Sequence, residues 1–272
     1  MPLVTTDRIL AARRAAPAFN VIQLEHAEAI VAGAARAGAP VVLQISENAV
    51  RYHGALAPIA LGAKRIAETA PIDVALHLDH AESEDLVREA LALGFTSVMF
   101  DASTSSHDVN VSRTAMMTAE VHDRGAWLEA ELGEIGGKDG AHSPDVRTDP
   151  AEAAEFVAAT GVDALAVAVG SSHAMTSRSA VLDLDLIGRL RDTVPVPLVL
   201  HGSSGVSDDM IRAAIDAGMR KVNVSTHLNG IMTGAVRRAL ETDPSLIDPR
   251  KYLAPGRDAV AAEVARLCEV IS

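Results

Sequence analysis

Three of the ten histidines close or follow short apolar runs: His80 in His77-Leu78-Asp79-His80, His173 in Gly170-Ser171-Ser172-His173, and His201 in His201-Gly202-Ser203-Ser204-Gly205. Carboxylates end two further runs, Asp101-Ala102-Ser103 and Glu129-Ala130-Glu131, and Asn223-Val224-Ser225-Thr226 ends the last. A single imidazole at a strand end is usually a hydrogen-bonded structural group. Three that meet, with Asp79 beside one of them, suit a catalytic divalent cation with one coordination position left open, and zinc is the ion this chemistry favours. His77 lies inside its run and reads as an orienting or structural residue. His53, His107 and His142 fall in or near loops and read as solvated.

The stretch Gly202-Ser203-Ser204-Gly205, followed by Val206-Ser207-Asp208-Asp209, combines a turn rich in exposed amides with a capped helix start. Unpaired N–H groups and the helix dipole there make an anion site, and phosphate is the natural ligand. Gly133-Glu134-Ile135-Gly136-Gly137-Lys138-Asp139-Gly140 has the composition of a lid that excludes water and carries in a catalytic group. Schiff-base chemistry would need a lysine at the reacting face. The lysines are Lys64, Lys138, Lys221 and Lys251. Lys221 opens the last run and is expected at the far end of the fold, and Lys138 lies in the loop. Carbonyl chemistry here therefore calls for a metal as electron sink.

These residues need a frame that gathers them. Eight β-branched or aliphatic runs recur: Ala18–Val21, Val41–Ser46, Val74–Asp79, Ser97–Ser103, Trp127–Gly133, Ala164–Gly170, Pro197–His201 and Lys221–Thr226. Helix-like stretches separate them, with Ala27, Ile30, Val31 and Ala34 on one face and Leu86, Ala90 and Leu93 on another. Thr148-Asp149-Pro150-Ala151 reads as a cap with a proline opening a helix, and Ala-Leu-Gly-Phe and Asp-Ala-Gly-Met place a glycine where a helix stops. Alternating strands and helices predict a parallel sheet, and continuous apolar runs such as Ala164–Val169 predict strands buried on both faces. No Gly-x-Gly-x-x-Gly follows the first run, which disfavours the open nucleotide-binding version. The expected fold is α/β, a (β/α)8 TIM barrel spanning 1–272 as a single domain, since all polar run ends then open on one face.

A barrel of this kind takes ~250 residues, and the chain has 272. Aromatics make up 3% of it, so the core must be built from Ala, Val, Leu and Ile. A net charge of −12 excludes nucleic acid and anionic membranes as partners by simple repulsion. The lone Cys268 excludes an internal disulfide and fits a reducing compartment. With no signal-like start and no apolar run of ~18 residues, the expected location is the cytoplasm.

Taken in order, Ala18-Phe19-Asn20-Val21, Val42-Leu43-Gln44-Ile45-Ser46, His77-Leu78-Asp79-His80, Glu129-Ala130-Glu131-Leu132-Gly133, Thr160-Gly161-Val162-Asp163, His201-Gly202-Ser203-Ser204-Gly205, Lys221-Val222-Asn223-Val224 and Asp248-Pro249-Arg250-Lys251-Tyr252-Leu253 make the chain resemble the class II, metal-dependent fructose-bisphosphate/tagatose-bisphosphate aldolases over nearly its whole length. The resemblance implies His80, His173 and His201 as ligands of one catalytic Zn2+, with a monovalent cation as activator. It implies Asp79 as acid/base at the C4 hydroxyl, Asp101 and Glu131 at an alternative metal position, and Asn223, with Asn20 nearby, against the enediolate. Gly170, Gly202, Ser204, Ser225 and Thr226 match the substrate and phosphate loops, and Ser46 and Arg250 the second phosphate. In some members that arginine comes from a neighbouring subunit, so a homodimer or homotetramer is expected.

Three positions depart from the family pattern. Asp139, in Gly137-Lys138-Asp139, stands where members carry a lid glutamate, so it takes the catalytic proton-transfer role with a shorter side chain. His227 stands where an acidic residue is usual, and Ala174 replaces a glycine. The expected reaction is reversible cleavage of fructose 1,6-bisphosphate or tagatose 1,6-bisphosphate to dihydroxyacetone phosphate and glyceraldehyde 3-phosphate. The alternatives are another phosphorylated keto-sugar, such as a deoxy-keto-gluconate phosphate, or a catalytically silent aldolase-like subunit. A barrel metal hydrolase would favour His-x-His on the first strand, where this chain has Asn20-Val21-Ile22.

Overall fold

All eight apolar runs become parallel strands: β1 (Ala16–Asn20), β2 (Val41–Ser46), β3 (Val74–Ala81), β4 (Ser97–Phe100), β5 (Trp127–Glu131), β6 (Ala164–Ala166), β7 (Leu198–Leu200) and β8 (Met219–Val224). They are hydrogen-bonded in chain order and β8 returns to β1, closing a barrel. The expected (β/α)8 architecture is therefore the observed one. This computed structural model describes residues 3–132, 147–172 and 178–272.

Helix α1 (Thr6–Ala12) precedes the barrel, and α2 (Leu24–Arg36) follows β1. After β2 come α3 (Glu47–His53) and α4 (Ala57–Glu68), and after β3 and β4 come α5 (Glu84–Leu93) and α6 (His107–Asp123). Helices α7 (Pro150–Thr160), α8 (Leu184–Thr193) and α9 (Asp208–Ala217) precede β6, β7 and β8, and α10 (Thr226–Thr242) and α11 (Pro249–Ile271) complete the ring. The local signals hold. The Asp149 carboxylate accepts from the Ala151 and Glu152 amides ahead of Pro150, a cap of about 1 kcal/mol. Gly94 ends α5 at φ 91°, where a side chain would be strained.

Strand periodicity divides the core in two. Ala16, Ala18, Val42, Ala75, Met99, Ala164, Ala166 and Val199 form one packed cluster with Val4, Ile9 and Leu10 from the N-terminal segment. Residues of opposite parity, among them Phe19, Leu43, Leu76, Leu78, Val98, Phe100 and Leu128, belong to the larger cluster shared with the helices. The first cluster fills the barrel interior, and its alanines explain how a chain so poor in aromatics packs it. Helix α1, absent from the sequence expectation, plugs the lower end; Thr6 Oγ1 donates to Ser97 Oγ at 3.1 Å.

Counting two residues onward along each inner line leads from packing to chemistry. Ala18 leads to Asn20, Val42 to Gln44 and Ser46, Ala75 to His77 and Asp79, and Met99 to Asp101. Trp127 leads to Glu129 and Glu131, Val199 to His201, and Lys221 to Asn223. The apolar lower layers thus support a polar upper layer at the carboxyl ends of the strands.

Candidate metal centre and active site

Neighbours in a strand point to opposite faces, so Asp79 and His80 should not share a site. They do because His80 takes φ 50°, the one positive-φ non-glycine among the described residues. The β3–β4 register slips between Leu78 and Ala81, which marks a bulge at this point. A left-handed backbone at a non-glycine costs on the order of 1–3 kcal/mol and persists where surrounding structure enforces it. Here Asp101 does so: its Oδ2 lies 2.9 Å from His80 Nδ1, while its Oδ1 accepts from the Ser103 amide and hydroxyl. With a carboxylate as acceptor, Nδ1 carries the proton and the lone pair sits on Nε2.

Asp79 is buried, and its Oδ2 accepts from Asn20 Nδ2 at 2.8 Å. Gln44 Nε2 in turn donates to Asn20 Oδ1 at 3.2 Å, so three strands fix one carboxylate. Burial by itself raises the Asp79 pKa, but His80, His201, Lys221 and the Asn20 hydrogen bond outweigh it and hold the group below the usual carboxylate range. The Asp79 Oδ1 atom is buried with no hydrogen-bond partner among the described residues.

His201 is fully buried, and its Nε2 lies 2.9 Å from Glu129 Oε1. The other Glu129 oxygen meets Lys221 Nζ at 2.8 Å. This corrects the expectation that Lys221 sits at the far end of the barrel. Strand β8 begins at Met219, two residues earlier than the apolar run suggested, so Lys221 faces the interior and is wholly enclosed. Glu129 fixes the His201 tautomer with its lone pair on Nδ1, as supporting carboxylates commonly do for metal-ligating imidazoles. Burial, followed by repulsion from His80, pushes the His201 pKa well below its ordinary value, so the ring is neutral, as ligation requires.

Ligand atoms of Asp79, His80 and His201 lie within 4.8 Å of one another, and so do those of His80, Asp101 and Glu131. The His80 and His201 rings stand edge to face with centroids 4.7 Å apart. Two imidazoles, each held on one ring nitrogen by a carboxylate, together with further buried carboxylates form a donor set that fits a divalent cation. His173 and Asp139 lie outside the described residues.

Beside these groups opens a cavity of about 190 Å3, walled by Asn20, Ser46, Asn48, Asp79, His80, His201, Gly202, Ser204, Asn223, Ser225 and Thr226. Gly202 has φ 67°, and a Cβ there would stand 2.6 Å from the Ser172 carbonyl oxygen; only glycine fits. The Ser204 hydroxyl accepts from the Ser225 and His227 amides at 3.3 and 3.1 Å, which joins the β7 turn to the start of α10. The Ser46 hydroxyl caps α3 by accepting from the Ala49 amide.

Two expected site residues lie elsewhere. Gly170 is off the cavity wall, packed against the Val181 carbonyl and the Arg147 guanidinium. Arg250, in the first turn of α11, does not line the cavity; its side chain is 89% exposed and paired with Asp248 at 2.8 Å. His77 is buried with Nδ1 2.6 Å from Ser97 Oγ, and His53 and His107 are exposed. Sequence reading overlooked Gln44, Glu129 and Lys221 as supports. The signal was present: each stands two residues before a predicted site residue, so it faces the same interior one layer down.

The family profile described as "Fructose-bisphosphate aldolase class-II" matches residues 5–272. Fructose-bisphosphate aldolase of Geobacillus stearothermophilus is 40% identical over 250 residues, covering 90% of this chain and 87% of that one. Among solved structures, a putative fructose-1,6-biphosphate aldolase from Coccidioides immitis superposes with TM-score 0.86 at 31% identity, covering 97% of this chain and 94% of that one. The YdjI aldolase of Escherichia coli K12 superposes with TM-score 0.83 at 29% identity, over 98% and 94%. Together with these matches, a closed barrel whose mouth carries a donor set fit for a divalent cation places the chain among the metal-dependent lyases. The chain belongs to the class II fructose-bisphosphate aldolase family.

Proposed function

We propose that the chain, acting as one aldolase domain over residues 1–272, is a zinc-dependent ketose-bisphosphate aldolase. Its substrates are fructose 1,6-bisphosphate or tagatose 1,6-bisphosphate, cleaved to dihydroxyacetone phosphate and glyceraldehyde 3-phosphate. The observation that carries this reading is the meeting of Asp79, His80 and His201 at a cavity that Gly202, Ser204, Ser225 and Thr226 also line.

His80, His173 and His201 would hold the ion, with Asp101 and Glu131 at an alternative position. Zinc, when bound, supplies Lewis acidity at the substrate ketone. Asp79, ionised and oriented by Asn20, takes the C4 hydroxyl proton in cleavage and returns it in condensation. Asn223, whose side chain reaches the cavity, meets the charge that develops beside the ketone. Ser204, Ser225 and Thr226 receive one phosphate on hydroxyls and amides; Ser46 faces the other, joined by Arg250 from a second subunit of a homodimer or homotetramer. Asp139 exchanges the second proton. The compartment proposed is the cytoplasm, and a monovalent cation is the proposed activator.

His227 favours a second reading. It replaces the usual acid and pairs with Glu263 without lining the main cavity, a change of chemistry beside the phosphate loops that fits another phosphorylated keto-sugar. Turnover on a panel of keto-sugar phosphates, with chelated and zinc-restored protein, tests both. Cleavage restored by zinc is expected. Activity that survives full metal removal, or stoichiometric zinc with no turnover on any member, sinks the proposal.

A further inference from the structure

A chain of ionic contacts outside the cavity joins the helices that frame its phosphate end. His227, in the first turn of α10, has Nε2 2.6 Å from Glu263 Oε1 on α11. Glu263 also accepts from Arg266 at 2.7 and 3.0 Å. Arg266 reaches Asp208 in the first turn of α9, and Arg178 donates to Asp208 at 2.6 Å and to the Val206 carbonyl at 2.8 Å. Helix α9 follows the Ser203–Gly205 turn directly, and the His227 amide itself donates to Ser204 Oγ. Glu263 thus holds the start of α10 directly through His227 and is linked through Arg266 and Asp208 to the start of α9, the helix that follows the Ser204 turn.

Mere packing does not call for this arrangement. The side chains of His227 and Glu263 are 21% and 16% exposed, so the pair is shielded enough to be stiff without being part of the core. The Glu263 pKa is pulled down to about 2: burial opposes ionisation, but the His227 and Arg266 hydrogen bonds overcome it. An amide cradle binds a phosphoryl dianion well only when its donors are already aimed, since ordering them on binding costs affinity.

Resting on the phosphate-binding reading of Ser204, Ser225 and Thr226, we propose that Glu263 is a positioning residue for that site. By holding His227 it fixes the first turn of α10 and, through Arg266 and Asp208, that of α9, so that the cradle for a phosphate monoester is preformed. Glu263 touches no reacting atom, and its effect belongs to binding.

The test is made on zinc-loaded, full-length protein with inorganic phosphate as probe, its affinity measured by calorimetry and as a competitive inhibitor. Glu263→Ala and His227→Ala are each expected to weaken phosphate binding about tenfold, the size of one lost hydrogen-bonded tie. KM rises in step, and kcat falls far less. Glu263→Gln keeps an acceptor for His227 and is expected to recover most of the affinity. Phosphate affinity within roughly twofold of wild type in both alanine variants overturns the proposal, as does a loss confined to kcat. Should Glu263→Ala not fold, His227→Ala decides, because it leaves the Arg266–Asp208 contacts in place. Calorimetry needs no turnover, so a failure of the aldolase reading stays distinguishable from a failure of this one.

Discussion

Lys221 and Glu129 form an ion pair of 2.8 Å with neither side chain reaching solvent, and the second Glu129 oxygen holds His201. The pair sets which nitrogen of His201 carries the lone pair. Lys221→Met should leave the Glu129 carboxylate buried without its countercharge, a loss of about 3–5 kcal/mol. Metal affinity should fall on the order of 10- to 100-fold. Urea unfolding and a chelator-competition titration read the two effects, and unchanged metal affinity would remove the pair from any supporting role.

Asp79→Asn keeps the shape of the side chain while removing its charge. Turnover is expected to fall by about 10²- to 10⁴-fold, the usual worth of a positioned acid/base. Metal content should persist if Asp79 works on the substrate proton. A variant that loses its metal together with its activity would instead make Asp79 a ligand.

Gly202→Ala forces a side chain onto a left-handed backbone, about 1–2 kcal/mol before any clash, and against the Ser172 carbonyl at 2.6 Å. The β7 turn has to shift, so KM should rise along with the loss of stability. Wild-type KM and an unchanged unfolding midpoint would show that the turn has slack.

Glu263 gives a pH signature. Its folded pKa, about 2, lies below the ordinary 4.5, so its stabilising contribution is complete above pH 4.5 and fades as pH falls towards 2. Partial exposure screens the effect, which should be on the order of 1 kcal/mol. The gap in urea midpoint between wild type and Glu263→Gln should therefore be full at pH 7 and narrower at pH 4. A gap that widens on acidification would reverse the sign and refute the argument.

Cys268 is 1% exposed, and burial pushes its thiol up to about 12. Thiol reagents should label the native protein at pH 8 far more slowly than the urea-unfolded chain, because the thiolate is the reactive form. Equal rates would mean that α11 opens readily.

The barrel was legible because its signal is local and repeated. A run such as Ala164–Val169 declares a strand buried on both faces, and eight of them separated by helical stretches allow few topologies. Asp79, His201 and the Gly202–Gly205 turn were legible as residue types at strand ends, since in a barrel those ends share one mouth. Helix α1 was missed because seven residues with no side-chain cap hydrogen bond give little local signal.

The amino-acid order alone thus determined the architecture and the strands that bring imidazoles and carboxylates together. Only the tertiary structure decided how they are aimed. The bulge that turns His80 beside Asp79, the Lys221–Glu129 pair beneath His201, and the placement of Gly170 against the Val181 carbonyl and Arg147 all depend on contacts between residues distant in the chain. Strand parity and hydrophobic period can be read locally; a tautomer, a left-handed φ or a buried countercharge exists only once the barrel has closed.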